Sequence, residues 1–318
     1  MEMGQLNMKV GFISQNNSKS KTVKMKKLQN IMLVLLLVTS SSALAQQESV
    51  IAFYKDHLNL VNPAALSVDG KSSFTSSIRK QWTGIKDAPE TQAVTFMTPL
   101  KNNLSIGISV VRDQVFIEKQ TFIGVDFSYK VKMNEDLDLF MGIKAGANNY
   151  EVNTSGLQTY NVQSDPSLQS ISGFNPNVGV GFYLKHDLYY ISLSTPKMLN
   201  TERVKNANGY ATTATDMAHY YLSAGRDFTL TKQVKLTPSM MMRYVNGAPF
   251  SVDFTATTVI DKTFHLGATY RTDKSLAGLA KFNIATNWFL GYAYEYSLRS
   301  ELLGRANGSN EFYLQYKF

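Results

Sequence analysis

The sequence predicts an all-β protein: a transmembrane, up-and-down antiparallel β-barrel of about fourteen strands, of the outer-membrane type. Three observations carry this expectation. Apolar residues recur with a period of two through most of residues 73–318, whereas no stretch carries a convincing helical period. The joins between these stretches alternate between short turns and longer polar loops. An export signal stands in front of them.

The signal is residues 25–45, MKKLQNIMLVLLLVTSSSALA. Lys26 and Lys27 form its basic end, Ile31 to Val38 its apolar core, and Ala43-Leu44-Ala45 its small-x-small cleavage site. The core is far shorter than the roughly 20 apolar residues that span a bilayer as a helix. The expected order is therefore a signal region over 1–45, with the true start at Met25 and cleavage after Ala45. An N-terminal segment over 46–72 follows, periplasmic or lumenal, and then the barrel over 73–318. Gln46, not Cys, follows the cleavage site, so no lipid-anchored N-terminus is expected.

The net charge of +8 belongs mostly to the signal region, which holds six Lys and one Glu. The remaining +3 is dispersed and gives no reason to expect nucleic acid as a partner. The chain has no cysteine, so an exported fold must gain its rigidity without disulfides.

Along the barrel, Ile123, Val125, Phe127, Tyr129 and Val131 alternate with Gly124, Asp126, Ser128 and Lys130. Phe250, Val252, Phe254 and Ala256 alternate with Ser251, Asp253, Thr255 and Thr257, and the pattern repeats at 136–149 and 287–297. Side chains of a strand point to opposite faces in turn, so each stretch has one apolar and one polar face. The weakest of the fourteen is 275–284. The second, fourth, sixth, eighth, tenth and twelfth joins are short and rich in Asn, Asp and Lys, the residues of tight turns. Joins 150–174, 196–216 and 298–309 are long and polar, and only 245–248 departs from that alternation.

A soluble sandwich or lipocalin-like barrel would turn the apolar face inward. Two features favour the membrane form. The polar face is rich in Gly, Ser, Thr and mixed charge, which suits a wet interior. Tyr129, Tyr244, Tyr270, Trp288 and Tyr296 lie toward strand ends, as in interfacial girdles. Outer-membrane lipids are then the surroundings, and the outer membrane the location. The inward charges would be Arg79, Asp126, Asp138, Lys144, Lys235, Arg243, Asp253, Lys281 and Glu295.

The chain ends EFYLQYKF, with Phe312, Leu314, Tyr316 and Phe318 on one face. Such an ending fits a last strand that pairs with the first, because an open sheet edge cannot face lipid. It also resembles the signal read by outer-membrane assembly machinery.

No catalytic, cofactor or metal site is expected. The four His show no two-His metal spacing. His219 and Ser223 share a polar face, but without an orienting acid that spacing is unspecific. VGVGF at 178–182 lacks the strand–loop–helix setting of a phosphate cradle and reads as a strand with small inward residues.

Two further motifs bear on function: Asn62-Pro63-Ala64-Ala65, and Phe74-x4-Arg79-x-Gln81-Trp82-x-Gly84 with Ala88-Pro89 after it. With GYAYEYS at 291–297 and the C-terminal strand, they resemble the PorP/SprF family of type IX secretion outer-membrane proteins of Bacteroidetes. The resemblance covers the mature chain. It implies a non-enzymatic role and one of two partners, either core components of the secretion system or a secreted adhesin with a type B C-terminal domain. In the second case the protein helps export the adhesin or retains it at the surface. The motif before Asn62 departs from the family pattern, with Lys55-Asp56-His57 after Tyr54 and the next Gly only at Gly70. That points to a divergent member and leaves core or accessory status open. A general porin or small-molecule transporter is the alternative expectation. Within this reading, Arg79 and Gln81 share inward parity and are expected to anchor segment 46–72 in the lumen, with Trp82 at the outer rim. For Arg79, pairing with a lumenal carboxylate is the plain alternative.

Overall fold

In the computed structural model the described residues are 51–154, 171–202, 215–300, 302 and 304–318. The signal region and its cleavage site lie outside them, as do 155–170 and 203–214 in two of the long loops.

Fourteen strands form one closed antiparallel barrel. They are β1 (Ser73–Lys80), β2 (Glu90–Pro99), β3 (Leu104–Val115), β4 (Glu118–Lys132), β5 (Leu137–Val152), β6 (Ile171–His186) and β7 (Tyr189–Thr195). The second half comprises β8 (His219–Arg226), β9 (Val234–Val245), β10 (Ser251–Ile260), β11 (Phe264–Arg271), β12 (Ser275–Ala285), β13 (Trp288–Ser297) and β14 (Ser309–Lys317). Each pairs with its sequence neighbour, and β14 pairs with β1 along the whole of Ser73–Lys80. Closure leaves the wall with no free edge to meet lipid. The stretch of weakest alternation is a full strand, β12, with an irregularity between Asn283 and Ala285. Phe228–Thr229 continues β8 past Asp227, and Thr201–Glu202 pairs with Asp216–Thr215 in the loop after β7.

At one end of the barrel all joins are tight. Asn102 and Asn103, and likewise Asp261 and Lys262, have positive φ, as in the hairpin turns whose twist matches the strands. At the other end lie the long joins 81–89, 153–170, 196–218 and 298–308. Beside 246–250, two further joins at that end are short, 116–117 and 272–274, so the alternation is less regular than the sequence suggests.

The apolar faces turn outward. Ile143, Leu193, Phe254 and Phe312 are more than half exposed, while the alternate residues Lys144, Ser192, Asp253 and Glu311 are buried. Tyr129 and Trp288 at the short-turn end, and Tyr244, Tyr270 and Tyr296 at the long-loop end, face outward in two girdles. At the end of β1, Lys80 also faces out and meets Glu90 at 3.5 Å on the neighbouring strand.

The interior is not simply wet. Residues 51–72 precede β1, and most of 51–67 is buried against inward-facing side chains. The segment contains one 3-10 turn (Tyr54–Asp56) and the short helix α1 (Leu58–Val61). It forms small apolar clusters with inward aromatic residues such as Phe140, Tyr183, Tyr221 and Tyr313.

Candidate functional site: a lumen filled by the N-terminal segment

The segment can be followed upward from β1. At the short-turn end, Ser72 and the last residue, Phe318, exchange two main-chain hydrogen bonds. Lys317 holds Asp69 at 2.9 Å, and Lys185 donates to the Val68 carbonyl at 2.6 Å.

Above this sits the Asn62-Pro63-Ala64 motif. Asn62 is extended (φ −141°, ψ 110°), as the following proline requires. Its side-chain amide donates to the Phe182 carbonyl (2.9 Å) and to Ser192 Oγ (2.7 Å), and its Oδ1 accepts from Ala64 N (2.8 Å). Ser194 donates to the Val61 carbonyl and Ser128 to the Ala64 carbonyl. The motif lies against two glycines that face each other across β5 and β6, Gly142 and Gly181. A Cβ at Gly142 would stand 2.3 Å from Pro63 C and Ala64 N, and one at Gly181 would overlap Asn62 Oδ1. Only glycine leaves room there.

Further up, Lys144 bridges Asp126 (3.0 Å) and the Asn59 carbonyl (2.8 Å). His57 sits with one ring nitrogen on Thr95 Oγ1 (3.2 Å) and the other on Ser77 Oγ (3.0 Å), edge-on to Tyr313. Burial pulls its pKa down to about 4, with Asp56 opposing. Burial also pulls the Lys55 ammonium down to about 8, against the attraction of Asp56 and Asp227. Burial alone would raise the Asp56 carboxyl, but the Lys281 ammonium at 2.7 Å holds it below its ordinary range. The Phe53 ring stacks on Tyr313 at 4.6 Å. Nearest the long-loop end, the main-chain N–H groups of Ala52 and Phe53 both donate to Glu311, at 2.6 and 3.2 Å.

Glu311 belongs to a belt of buried charge on the wall. Arg79 meets Glu295 at 3.0 Å and Glu311 at 3.7 Å. Arg271 joins Glu295 (2.7 Å) to Asp253 (3.3 Å), and Arg243 closes on Asp253 at 2.9 Å. Three arginines and three carboxylates thus balance one another on β9, β10, β11, β13, β14 and β1. Breaking one such buried pair leaves an unmatched charge and costs about 3–5 kcal/mol.

Arg79 reaches the segment through Glu311, which both of them contact. Gln81 lies beyond the end of β1, and its main-chain N–H donates to Pro89 O. Trp82 is half-buried with φ +47° in the loop after β1, and Gly84 takes φ +95° in the same turn. In β14, Phe312 faces outward, as does Phe318 just beyond its end. Tyr316, on the same face as Leu314, packs on Trp288 at 4.7 Å. Of the nine inward charges, Asp138 and Lys235 sit at the short-turn end, partly exposed, on Lys130 and Asp227. Sequence reasoning missed Arg271, the roles of Asp56 and His57, and the Gly142–Gly181 pair. The signal for the pair was glycine at inward parity.

Beside the upper part of the segment, toward the long-loop side, a cavity remains. Ile51, Tyr54, Leu60 and Val61 line it from the segment, and Phe122, Lys197, Met241, Arg243 and Pro249 line it from the wall and loops. Among the described residues, no cluster of three or more His, Cys, Asp or Glu is placed to hold a metal. What the site offers is a mainly apolar cup with a few charged side chains, Lys197 and Arg243 among them, on its wall.

Residues 43–316 match the family model described as type IX secretion system membrane protein PorP/SprF. Among curated proteins the chain has no match. Several solved barrels are similar in overall form. The Ralstonia pickettii toluene transporter TbuX is 11% identical, with a TM-score of 0.47 over 80% of this chain and 91% of that one. A Pseudomonas aeruginosa FadL homologue is 12% identical, with a TM-score of 0.44 over 81% and 92%. The KdgM porin is 12% identical, with a TM-score of 0.38 over 77% and 99%.

Proposed function

Since the chain belongs to the PorP/SprF family of type IX secretion system membrane proteins, we propose that it is a filled adaptor barrel that assists export or surface retention of a secreted adhesin. The partner would carry a type B C-terminal domain, and it would be met at the long-loop face. Barrels of this class point short turns to the periplasm and long loops outward. The cup beside the segment and the long joins around it then face the cell exterior, where a secreted protein must be held. Contact with core secretion components from the periplasmic side is compatible with the same fold.

The observation that carries this reading is the occupied lumen. A general porin needs a wet passage, and here residues 51–67 stand in it, tied to the wall by the Ala52 and Phe53 N–H groups on Glu311 and by Asp56 on Lys281, with Asp69 on Lys317 just below. Export of the chain by a cleaved signal ending at Ala45 belongs to the same proposal. So does recognition of Phe312, Leu314, Tyr316 and Phe318 by the assembly machinery.

The test is a deletion strain with its surface proteins compared against the parent. We expect one or a few large secreted proteins to disappear from the cell surface while uptake of small solutes stays unchanged. A full complement of surface proteins together with a fall in uptake of one solute class would overturn the proposal and favour a transporter.

A further inference from the structure

We propose that the outer end of β6, residues 172–176, is an open strand edge on which an extended segment of the secreted protein adds as one more strand. The proposal rests on the docking function stated above and names the surface that performs it.

The two neighbours of β6 leave it at different heights. β5 stays paired with it to the top, where Val152 stands opposite Ile171. β7 pairs with it only as far as Val180 and Thr195. The chain then crosses the inner face of β6, so that a Cβ on the inward-facing Gly179 would stand 2.4 Å from Pro196 O. Asn177 closes the ladder. Its Oδ1 accepts from the N–H groups of Val178, Met198 and Leu199, and its amide donates to the Leu199 carbonyl. The last main-chain bond on this edge runs from Met198 N to Val178 O. One residue below Thr195, Ser194 pairs with Tyr221, the neighbour of Tyr220, which faces outward beside Tyr244 of the outer girdle. The β6–β7 ladder therefore stops close to girdle height. Phe174, six residues beyond Val180, stands about 20 Å further along the strand. Water reaches an edge there, as it does not in the hydrocarbon.

Backbone parity says what the edge offers. The N–H and C=O of one strand residue point to the same side, and those of the next residue to the other. Val178 O points away from β5, so the main-chain groups of Pro176, Phe174 and Ser172 point away from β5 as well. Among the described residues, none of these three has a main-chain partner on that side. Pro176 has no N–H to leave unpaired, which is the place proline takes on a strand edge. The N–H groups of Ser172 and Phe174 and the carbonyls of all three remain, enough to hold a short added strand. Phe174 projects beside them at 72% exposure, above the 61% of the lipid-facing Ile143 and Phe312, because no following strand stands next to it. An apolar residue on the added strand would cover it as a cross-strand neighbour. A second copy of this chain fits less well. Antiparallel self-pairing centred on Phe174 puts Ser172 opposite Pro176, which cannot return the bond. Behind the edge the platform is firm, since Asn148 and Tyr150 on the inner face of β5 are buried.

The test removes the two edge donors and leaves the β5 ladder alone. Ser172→Pro with Phe174→Pro takes away N–H groups that β5 does not use, and Ser172→Ala with Phe174→Ala keeps them. Each double variant of the full chain is expressed in the deletion strain. Folding is checked by heat-modifiable gel mobility, and the surface protein that the deletion strain lacks is quantified on intact cells. We expect the proline pair to lower that protein about tenfold or more and the alanine pair to leave most of it, with both barrels folded. Equal levels in the two variants, whether kept or lost, would overturn strand addition and leave the proposed function standing. If the proline pair does not fold, a photo-crosslinking residue at Phe174 of the otherwise unchanged chain decides the matter. It is expected to capture the same surface protein more strongly than a crosslinker at Asn246 in the outer join 246–250. Capture of a second copy of this chain, or of nothing, would overturn the inference. A deletion strain that lacks no surface protein would sink the function proposal, and this inference with it.

Discussion

Glu311 holds the outer end of the lumenal segment with two oxygens, taking both Ala52 N–H and Phe53 N–H while it faces Arg79. Glu311→Ala leaves Arg79 with Glu295 but strands two buried donors, at about 1–3 kcal/mol each. Protease cleavage within 51–72 of the folded barrel is expected to rise, on the order of a hundredfold for about 2.7 kcal/mol. Glu311→Gln, which keeps an acceptor, should fall between. Unchanged cleavage in Glu311→Ala would show that the segment is held elsewhere. His57 gives a second handle. Its pKa is about 4 when docked against an ordinary 6.5, so the released form binds the proton more tightly. The His57 contribution to docking is therefore complete above pH 6.5 and is lost as the pH falls toward 4, by about 3 kcal/mol once both forms are protonated. Asp56 opposes this shift, and Lys281 faces Asp56 in turn. Cleavage of 51–72 measured from pH 8 to pH 4.5 should rise on the acid side, and His57→Gln should flatten the profile. The same acid rise in His57→Gln would assign it to other groups.

At the scale of elements, the Gly142–Gly181 pair explains how a proline-containing turn lies flush on a strand wall. Gly142→Val would put atoms inside Pro63 and Ala64, and overpacking of this kind costs about 1–3 kcal/mol. The expected result is a barrel with unchanged heat-modifiable gel mobility and a loosened N-terminal segment. Gly278→Ala, which meets no atom within 4 Å, should change neither. Equal loosening in both variants would contradict the close-packing account. The strand pattern was legible because one face must meet lipid, so Phe254 alternates with Asp253 and Phe312 with Glu311 whatever their partners are. The two unforeseen short hairpins were hidden because their positive-φ residues are Phe116 and Lys274, not Gly or Asn. The segment's contacts were illegible for another reason. Ala52 and Glu311 are 259 residues apart, and no local period records which inward carboxylate faces which backbone. Arg79 carried a readable parity, yet the acid through which it reaches the segment could only be read from the folded wall.

For the whole molecule, closure by β14 on β1 and filling by 51–67 act together. The first removes sheet edges from lipid, and the second places packed protein in the path through the tube. The charge belt is balanced within the wall, so the barrel does not need the segment to neutralise Arg79, Arg271 or Arg243, and a barrel without the segment should remain folded. Among the described ion pairs, removal of 51–67 takes a carboxylate partner, Asp56, from Lys281. Conductance of the purified full-length protein in a planar bilayer tests this most directly. The account predicts a silent baseline for the full-length protein and stepwise currents once residues 51–67 are deleted. Steady open-pore steps from the full-length protein would contradict it.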